Sequence, residues 1–163
     1  MSKFLIAVWP FAGHYFPLIA VAHALRRRGH SVAFYTGARA QPVVAAEGFE
    51  HFPFTRIDER RVDEIMFTRA AYASRRQPLQ LQALLREWLL GTLPGQVADL
   101  APILQDWQPD VLVSETSMLG PMLVLSETQP APVAVFSTVV ACLLPGRDAP
   151  PYGPGLPPAR GWP

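Results

Sequence analysis

Residues 4–36 read FLIAVWPFAGHYFPLIAVAHALRRRGHSVAFYT. The run opens with continuous apolar residues, Phe4 to Val8, a pattern typical of a strand buried on both faces of a parallel sheet. A helical pattern follows, and Gly29 predicts its end before a second apolar run at Ser31–Thr36. We therefore predict a strand, a helix and a parallel second strand, with His14 in the loop between the first strand and the helix.

The helix of this unit is predicted to start near Pro17, because proline is favoured in the first turn, where no backbone N–H is needed. Apolar residues then recur with the spacing of one helix face at Leu18, Val21, Ala22 and Leu25. Gly13 would precede the helix, where it lets the backbone bend and leaves room beside His14.

The rest of the chain continues the alternation of strands and helices. Further strands are predicted at 49–52, 111–113 and 133–136, and helices at 39–47, 79–90, 93–107 and 117–128. Residues 55–77 are rich in charge and are interpreted as a surface excursion that is partly helical. The alternation predicts an α/β fold with a doubly wound, Rossmann-like parallel sheet, and by analogy we expect the strand order 3-2-1-4-5.

The composition and the net charge of the chain exclude several classes of protein and of partner. The chain has 163 residues, half of them apolar and 17% charged, with a net charge of +1, so nothing favours nucleic acid or an anionic membrane as partner. The single cysteine, Cys142, excludes an internal disulfide and fits a reducing compartment. No apolar run is long enough to form a transmembrane segment, and we predict a cytoplasmic protein.

Proline marks the end of the chain. Residues 145–163 hold seven prolines and four glycines with few large apolar side chains, a composition that cannot build a core segment. We predict one domain at 1–144 and a loop or linker at 145–163, after which a further domain should follow.

Two residues could carry chemistry at the carboxyl edge of the sheet. His14 follows the first strand and Glu115 follows the strand at 111–113, and the expected order makes these strands neighbours where open α/β sheets bind ligands. A histidine can accept a proton from a bound hydroxyl, and a carboxylate beside it would hold the ring in one tautomer. Two plainer interpretations stay open: His14 caps the helix, and Glu115 is an acid at a helix start beside a capping Ser117.

Other kinds of site find little support in the sequence. The loop Trp9–Phe16 has one glycine, Gly13, whereas a dinucleotide-binding fingerprint needs three. No pair of histidines has a metal-ligand spacing with Cys142, so we expect no metal. A G-x-S-x-G nucleophile signature is absent.

Four blocks of sequence resemble a known family. The first two blocks resemble the opening of the bacterial macrolide-type and plant-type (family 1) nucleotide-sugar glycosyltransferases: GHYFPL at 13–18 and ALRRRGHSVAFYT at 24–36. The other two are similar to the fourth and fifth strands of that family: PDVLVSETSMLGP at 109–121 and PAPVAVFST at 130–138. The resemblance covers about residues 3–160. It implies the N-terminal, acceptor-binding half of a GT-B architecture, a metal-independent transferase with no cofactor and with the nucleotide-sugar as co-substrate.

The resemblance also implies roles for single residues. His14 matches the histidine that deprotonates the acceptor hydroxyl for attack with inversion, and Glu115 stands where the family has an aspartate that orients this histidine. Three residues match places where the family approaches the donor sugar: Gly13, Ser137 and Thr138. The pocket for a hydrophobic, hydroxylated small-molecule acceptor is expected to involve Phe11, Tyr15, Met66, Phe67 and Tyr72.

In this family the nucleotide is held mainly by a C-terminal domain, which the sequence lacks. We therefore expect a truncated chain that is inactive alone and needs a donor-binding domain or subunit. Three alternatives stay open. The chain could be one subunit of a two-chain glycosyltransferase, a non-catalytic binding module, which Glu115 in place of an aspartate favours, or a flavodoxin-like small-molecule or nucleotide-binding domain unrelated to sugar transfer.

Overall fold

A computed structural model describes residues 1–69, 78–125, 127 and 131–138. Its single sheet has five parallel strands in the order β3-β2-β1-β4-β5. The strands are β1 (Lys3–Ala7), β2 (Ser31–Thr36), β3 (Glu50–Pro53), β4 (Val111–Glu115) and β5 (Val133–Phe136). The predicted α/β class, the doubly wound parallel sheet and the strand order are confirmed.

The helices lie between the strands in sequence. They are α1 (Ala12–Arg27), α2 (Gln41–Ala46), α3 (Glu59–Asp63), α4 (Pro78–Leu89) and α5 (Leu93–Trp107). Two wider turns of π-helix follow α3 and β4, at Glu64–Arg69 and Pro121–Leu125. Among the described residues, no helix combines the length and the apolar character that crossing a membrane requires.

The core has two layers, one on each face of the sheet. Alternate residues of the first strand, Leu5 and Ala7, face a cluster with α4 and α5, whereas Ile6 and Val8 face a cluster with α1 and α2. All four are fully buried. This explains the unbroken apolar run, since side chains alternate between two covered faces.

Helix α1 begins at Ala12, one turn earlier than predicted, so that Pro17 lies inside it and His14 lies in its first turn. Pro17 removes the bond that an N–H would make to the carbonyl four residues back, and its ring crowds that carbonyl, so the helix includes this proline at a cost. The buried face of the helix shares Leu18 and Ala22 with the predicted stripe, and Leu25 packs partly buried against the same cluster, whereas Val21 is replaced by Tyr15 and Ile19. It is formed by Tyr15, Leu18, Ile19 and Ala22. Gly13 does not have a left-handed backbone conformation, so the predicted bend at this residue is wrong.

The segment after β4 also differs from the prediction of a helix over 117–128. Ser117 lies in a turn, because its N–H donates to the carboxylate of Glu115. Gly120 is held by the buried amide of Gln96, whose Oε1 accepts the Gly120 N–H at 2.8 Å. The chain therefore makes one turn, at Thr116 and Ser117, and helical structure begins at Leu119, two residues later than predicted, and continues through Pro121–Leu125.

The charged segment 55–77 is predicted to be partly helical and to lie on the surface. It is helical at α3 and at Glu64–Arg69, but it does not lie wholly on the surface. Ile57, Val62 and Ile65 are buried in the cluster under α4 and α5. Residues 70–77 and the predicted linker at 145–163 lie outside the described residues.

Gly29 ends α1 with φ of +83°, a conformation that an L side chain adopts only at a cost. Replacing Gly29 by alanine should lower the free energy of unfolding by about 1 kcal/mol. Gly13→Ala is the matched control, because a Cβ there meets no atom of the described residues within 4 Å and the backbone is helical. Chemical denaturation of both variants tests this, and equal stabilities would contradict it.

Candidate active site

The candidate site lies at the carboxyl edge of the sheet, where β1 and β4 run side by side. Glu115 is the last residue of β4, and His14 lies in the first turn of α1, which follows β1. The His14 Nδ1 is 3.2 Å from Oε2 of Glu115. The carboxylate side chain is 1% exposed and the imidazole 20% exposed. The strand order thus places the side chains of His14 and Glu115, which are far apart in the sequence, next to each other.

Four further donors surround the Glu115 carboxylate. Oε1 accepts the hydroxyls of Thr116 and Thr138, at 2.8 and 2.9 Å. Oε2 accepts the Ser117 N–H at 3.0 Å and the Ser117 hydroxyl. Among the described residues, the buried Nδ1 of His14 finds no well-aligned hydrogen-bond partner, so its link to Oε2 is a close charge–dipole contact. The carboxylate is therefore fixed mainly by neighbours other than the histidine.

These contacts decide the charge of Glu115. Burial by itself would raise its pKa, but the contact with His14 and the hydrogen bonds from Ser117 and Thr116 outweigh burial and hold the pKa at about 2. The side chain is therefore an anion throughout the neutral range. An anion at this position orients the imidazole ring.

The lowered pKa of Glu115 predicts a pH-dependent part of the stability. The folded state keeps the carboxylate ionised down to about pH 2, whereas the ordinary pKa is 4.5, so the unfolded chain binds the proton first. The stabilisation is complete above about pH 4.5 and is lost as the pH falls towards 2. Denaturation of the wild type and Glu115→Gln across this range should show a difference in stability that shrinks with acid. A constant difference would contradict it.

Aromatic side chains form a wall beside the pair. We use the name aromatic wall for Trp9, Phe11, Phe54, Phe67 and Trp88. The Phe11 ring lies 5.6 Å from the rings of both His14 and Phe67, with edges toward faces. Phe67 is 53% exposed, whereas Phe11 and Trp88 are buried. Four of the five rings belong to the buried core, so Phe67 is the part of the wall that reaches the surface.

The other residues expected to contact an acceptor are not all brought together. Met66 packs against the same cluster as the aromatic wall. Tyr15 instead lies on the opposite face of the sheet, buried under α1 with Leu18, because the earlier start of the helix rotates it into that layer. Tyr72 lies outside the described residues.

The three residues expected to approach the donor sugar lie at the same edge. Gly13 is exposed in the first turn of α1, with open space where a side chain would project. Ser137 is exposed beyond β5, and the Thr138 hydroxyl is already bonded to Glu115.

Several residues that shape the site were not predicted. The buried indole of Trp9 donates from Nε1 to the Ser117 carbonyl at 3.1 Å, and Gln96 holds Gly120, so the turn that carries Glu115 is anchored at two points. A signal was present in the sequence, because hydroxyl residues directly follow the acid in Glu115-Thr116-Ser117.

No group of three or more metal-ligating side chains occurs within the described part of the chain. An open groove lies at the opposite, amino edge of the sheet, lined by Pro102, Asp110 and Ala131. It contains neither His14 nor Glu115.

Comparison with known proteins finds relatives of the chain in sequence and in fold. No family model matches the chain. The chain is 30% identical over 158 residues to the 4'-demethylrebeccamycin synthase of Lentzea aerocolonigenes. The match covers 97% of this chain but 37% of that relative, so the chain spans little more than a third of its length.

Solved structures show the same fold. The glycosyltransferase SsfS6 of Streptomyces sp. SF2575, complexed with thymidine diphosphate, superposes with a TM-score of 0.65 at 21% identity, over 84% of this chain and 38% of that one. The spinosyn rhamnosyltransferase SpnG, also with thymidine diphosphate, gives 0.63 at 17% identity, over 85% and 35%. The chain therefore has the fold of the N-terminal part of these glycosyltransferase structures.

Proposed function

We propose that the chain is the acceptor-binding half of an inverting, metal-independent glycosyltransferase that moves a sugar from a nucleotide-sugar to a hydroxyl of a hydrophobic small molecule. The observation that carries the proposal is the contact of 3.2 Å between His14 and the buried, ionised Glu115 at the edge where α/β sheets bind ligands. The names of the relative and of the solved structures support transfer of a sugar to a natural product.

The chemistry follows from the two nitrogens of the imidazole. Nδ1 faces Glu115, which leaves Nε2 for the acceptor. The acceptor hydroxyl gives its proton to Nε2 while its oxygen bonds to the anomeric carbon, and the bond from that carbon to the nucleotide diphosphate breaks. Attack from the face opposite the leaving group inverts the anomeric centre. Glu115 stabilises the imidazolium that forms.

The acceptor would lie against the aromatic wall, with Phe67 as its exposed end. Flat or macrocyclic hydrophobic molecules gain most from such a surface, because aromatic side chains offer a large apolar area. Met66 adds a thioether that adapts to the shape of the ligand. Acceptor affinity should therefore depend on Phe67 more than on Tyr15.

The donor would be held mainly by a second domain, outside this chain. We infer that residues 1–144 form the acceptor-binding domain and that 145–163 link it to that domain. Gly13 supports this arrangement, because it leaves open space next to His14 where a sugar could approach. A cytoplasmic location stays a prediction.

Glu115, which stands where the family has an aspartate, is the residue that favours the alternative of a non-catalytic binding module. The longer side chain reaches the histidine, so the change from aspartate does not by itself remove the pair. The module and the two-chain enzyme remain alternatives that an assembly experiment separates.

The experiment combines this chain with a matching donor-binding half, fused or as a second polypeptide, and measures sugar transfer to phenolic and macrolide acceptors by mass spectrometry. Transfer with inverted stereochemistry by the covalent or the two-chain form would support the proposal. Demonstrated assembly with tight acceptor binding and no transfer would favour the binding module. Retained anomeric configuration would contradict the inverting mechanism.

A further inference from the structure

Thr138 reaches the candidate site from a different strand than Glu115. β5 pairs in parallel with β4, with Phe136 opposite Glu115, and the Thr116 N–H donates to the Phe136 carbonyl at 3.2 Å. Two residues further on, the Thr138 hydroxyl lies 2.9 Å from Oε1 of Glu115. The register of two strands therefore sets this contact.

The Thr138 hydroxyl donates to Oε1 of Glu115, the carboxylate oxygen that does not contact His14. Oε2 contacts the imidazole, whereas Oε1 is held by Thr116 and Thr138. The terminal torsion of a glutamate is soft, so its carboxylate plane is fixed by hydrogen bonds rather than by a rotamer well. Thr116 is the next residue after Glu115 and moves with the same turn. Thr138, in contrast, ties the carboxylate to the segment that follows the neighbouring strand β5.

A hydroxyl has one hydrogen to donate. Because Thr138 gives its hydrogen to Glu115, it is left with lone pairs only and is poorly suited to donate to a sugar oxygen. We propose that Thr138 is a positioning residue whose hydroxyl holds the Glu115 carboxylate in the orientation that faces His14. The effect on catalysis rests on the proposed glycosyl transfer, whereas the effect on Glu115 does not.

The test compares Thr138→Val, which keeps the shape and removes the hydroxyl, with Thr138→Ser, which keeps the hydroxyl. Thr36→Val is the matched control, because Thr36 ends β2 with a buried hydroxyl that has no hydrogen-bond partner among the described residues. Thr138→Ala gives a second variant without the hydroxyl in case valine disturbs folding. All four are made in this chain and in the assembled enzyme.

The first readout is the titration of the Glu115 carboxyl carbon by NMR in this chain. Loss of one donor to a charged group should raise the acid pKa, with a change of about tenfold in the dissociation constant, in Thr138→Val and Thr138→Ala. Thr138→Ser and Thr36→Val should titrate like the wild type. An unchanged Glu115 titration without the Thr138 hydroxyl would overturn the inference, whatever the chain catalyses.

The second readout is the kinetics of the assembled enzyme. A positioning role predicts that Thr138→Val lowers kcat about tenfold, leaves KM for the nucleotide-sugar close to that of the wild type, and is rescued by Thr138→Ser. A raised KM for the nucleotide-sugar with unchanged kcat would instead identify a donor contact and overturn the inference. Failure of His14→Ala to reduce transfer would refute the proposed function separately, and the NMR titration would still decide the role of Thr138.

Discussion

Replacing His14 by alanine is expected to lower the rate of sugar transfer by about 10²- to 10⁴-fold in the assembled enzyme. The variant loses the group that takes the proton from the acceptor hydroxyl, while the aromatic wall that would bind the acceptor stays in place. KM for the acceptor should therefore change much less than kcat. Turnover with each purified acceptor, followed by product formation, measures both constants.

His23→Ala is the matched control for this prediction. His23 lies on the same helix, but its imidazole is bonded to Glu47 and Arg26, on the side of α1 away from the candidate site. Its loss should leave turnover unchanged. Added imidazole should restore part of the activity of His14→Ala, because the substitution leaves space beside Glu115. Unchanged turnover in His14→Ala would exclude this histidine as the base.

The sheet was predictable because its signals are local. The apolar run that begins at Phe4 and the alternation of strands and helices define parallel β units, and Gly29 and Gly48 mark two helix ends with positive φ. The strand order came from analogy, since pairing between distant strands leaves no local signal. The prediction places the start of α1 near Pro17, because proline is favoured in the first turn, whereas the helix begins at Ala12 and includes Pro17.

The pair of ionisable residues was predictable from topology, but its surroundings were not. His14 and Glu115 each follow a strand, and neighbouring parallel strands bring such residues together. The contact with Thr138 depends on the register of β4 and β5, which the sequence does not show. Tyr15 was misplaced for a geometric reason, because the helix around it started earlier than expected and rotated it to the other face.

The largest loss of stability is expected from Asp99→Ala, at about 3 kcal/mol in the free energy of unfolding. Asp99 lies on α5 and is 4% exposed. Its carboxylate accepts the Tyr35 hydroxyl at 3.0 Å, the N–H groups of Thr55 and Arg56 at 2.8 and 3.2 Å, and the Thr55 hydroxyl. One side chain thus joins the sheet, the loop after β3 and the helix that covers them.

Removal of the carboxylate would leave these donors without a partner in a buried place, which costs more than the loss of an exposed hydrogen bond. Tyr35 cannot avoid the cost by ionising. Burial is the largest cause that raises the pKa of its hydroxyl above the ordinary value, and burial persists without the Asp99 carboxylate, so the hydroxyl remains a donor. The loop also carries Phe54, whose ring lies 5.6 Å from that of Trp9. Loosening it should weaken acceptor binding at the aromatic wall.

Three further variants make this prediction specific. Asp106→Ala removes an exposed carboxylate from the same helix and should change stability by less than about 0.5 kcal/mol. Tyr35→Phe removes the hydroxyl itself, so this donor is not left unpaired. It should lower the free energy of unfolding by about 1.5 kcal/mol, less than Asp99→Ala. Asp99→Asn keeps one acceptor oxygen and should lie between the wild type and Asp99→Ala. Urea denaturation gives the four free energies, and a loss in Asp99→Ala no larger than that in Asp106→Ala would show that the carboxylate does not hold the loop.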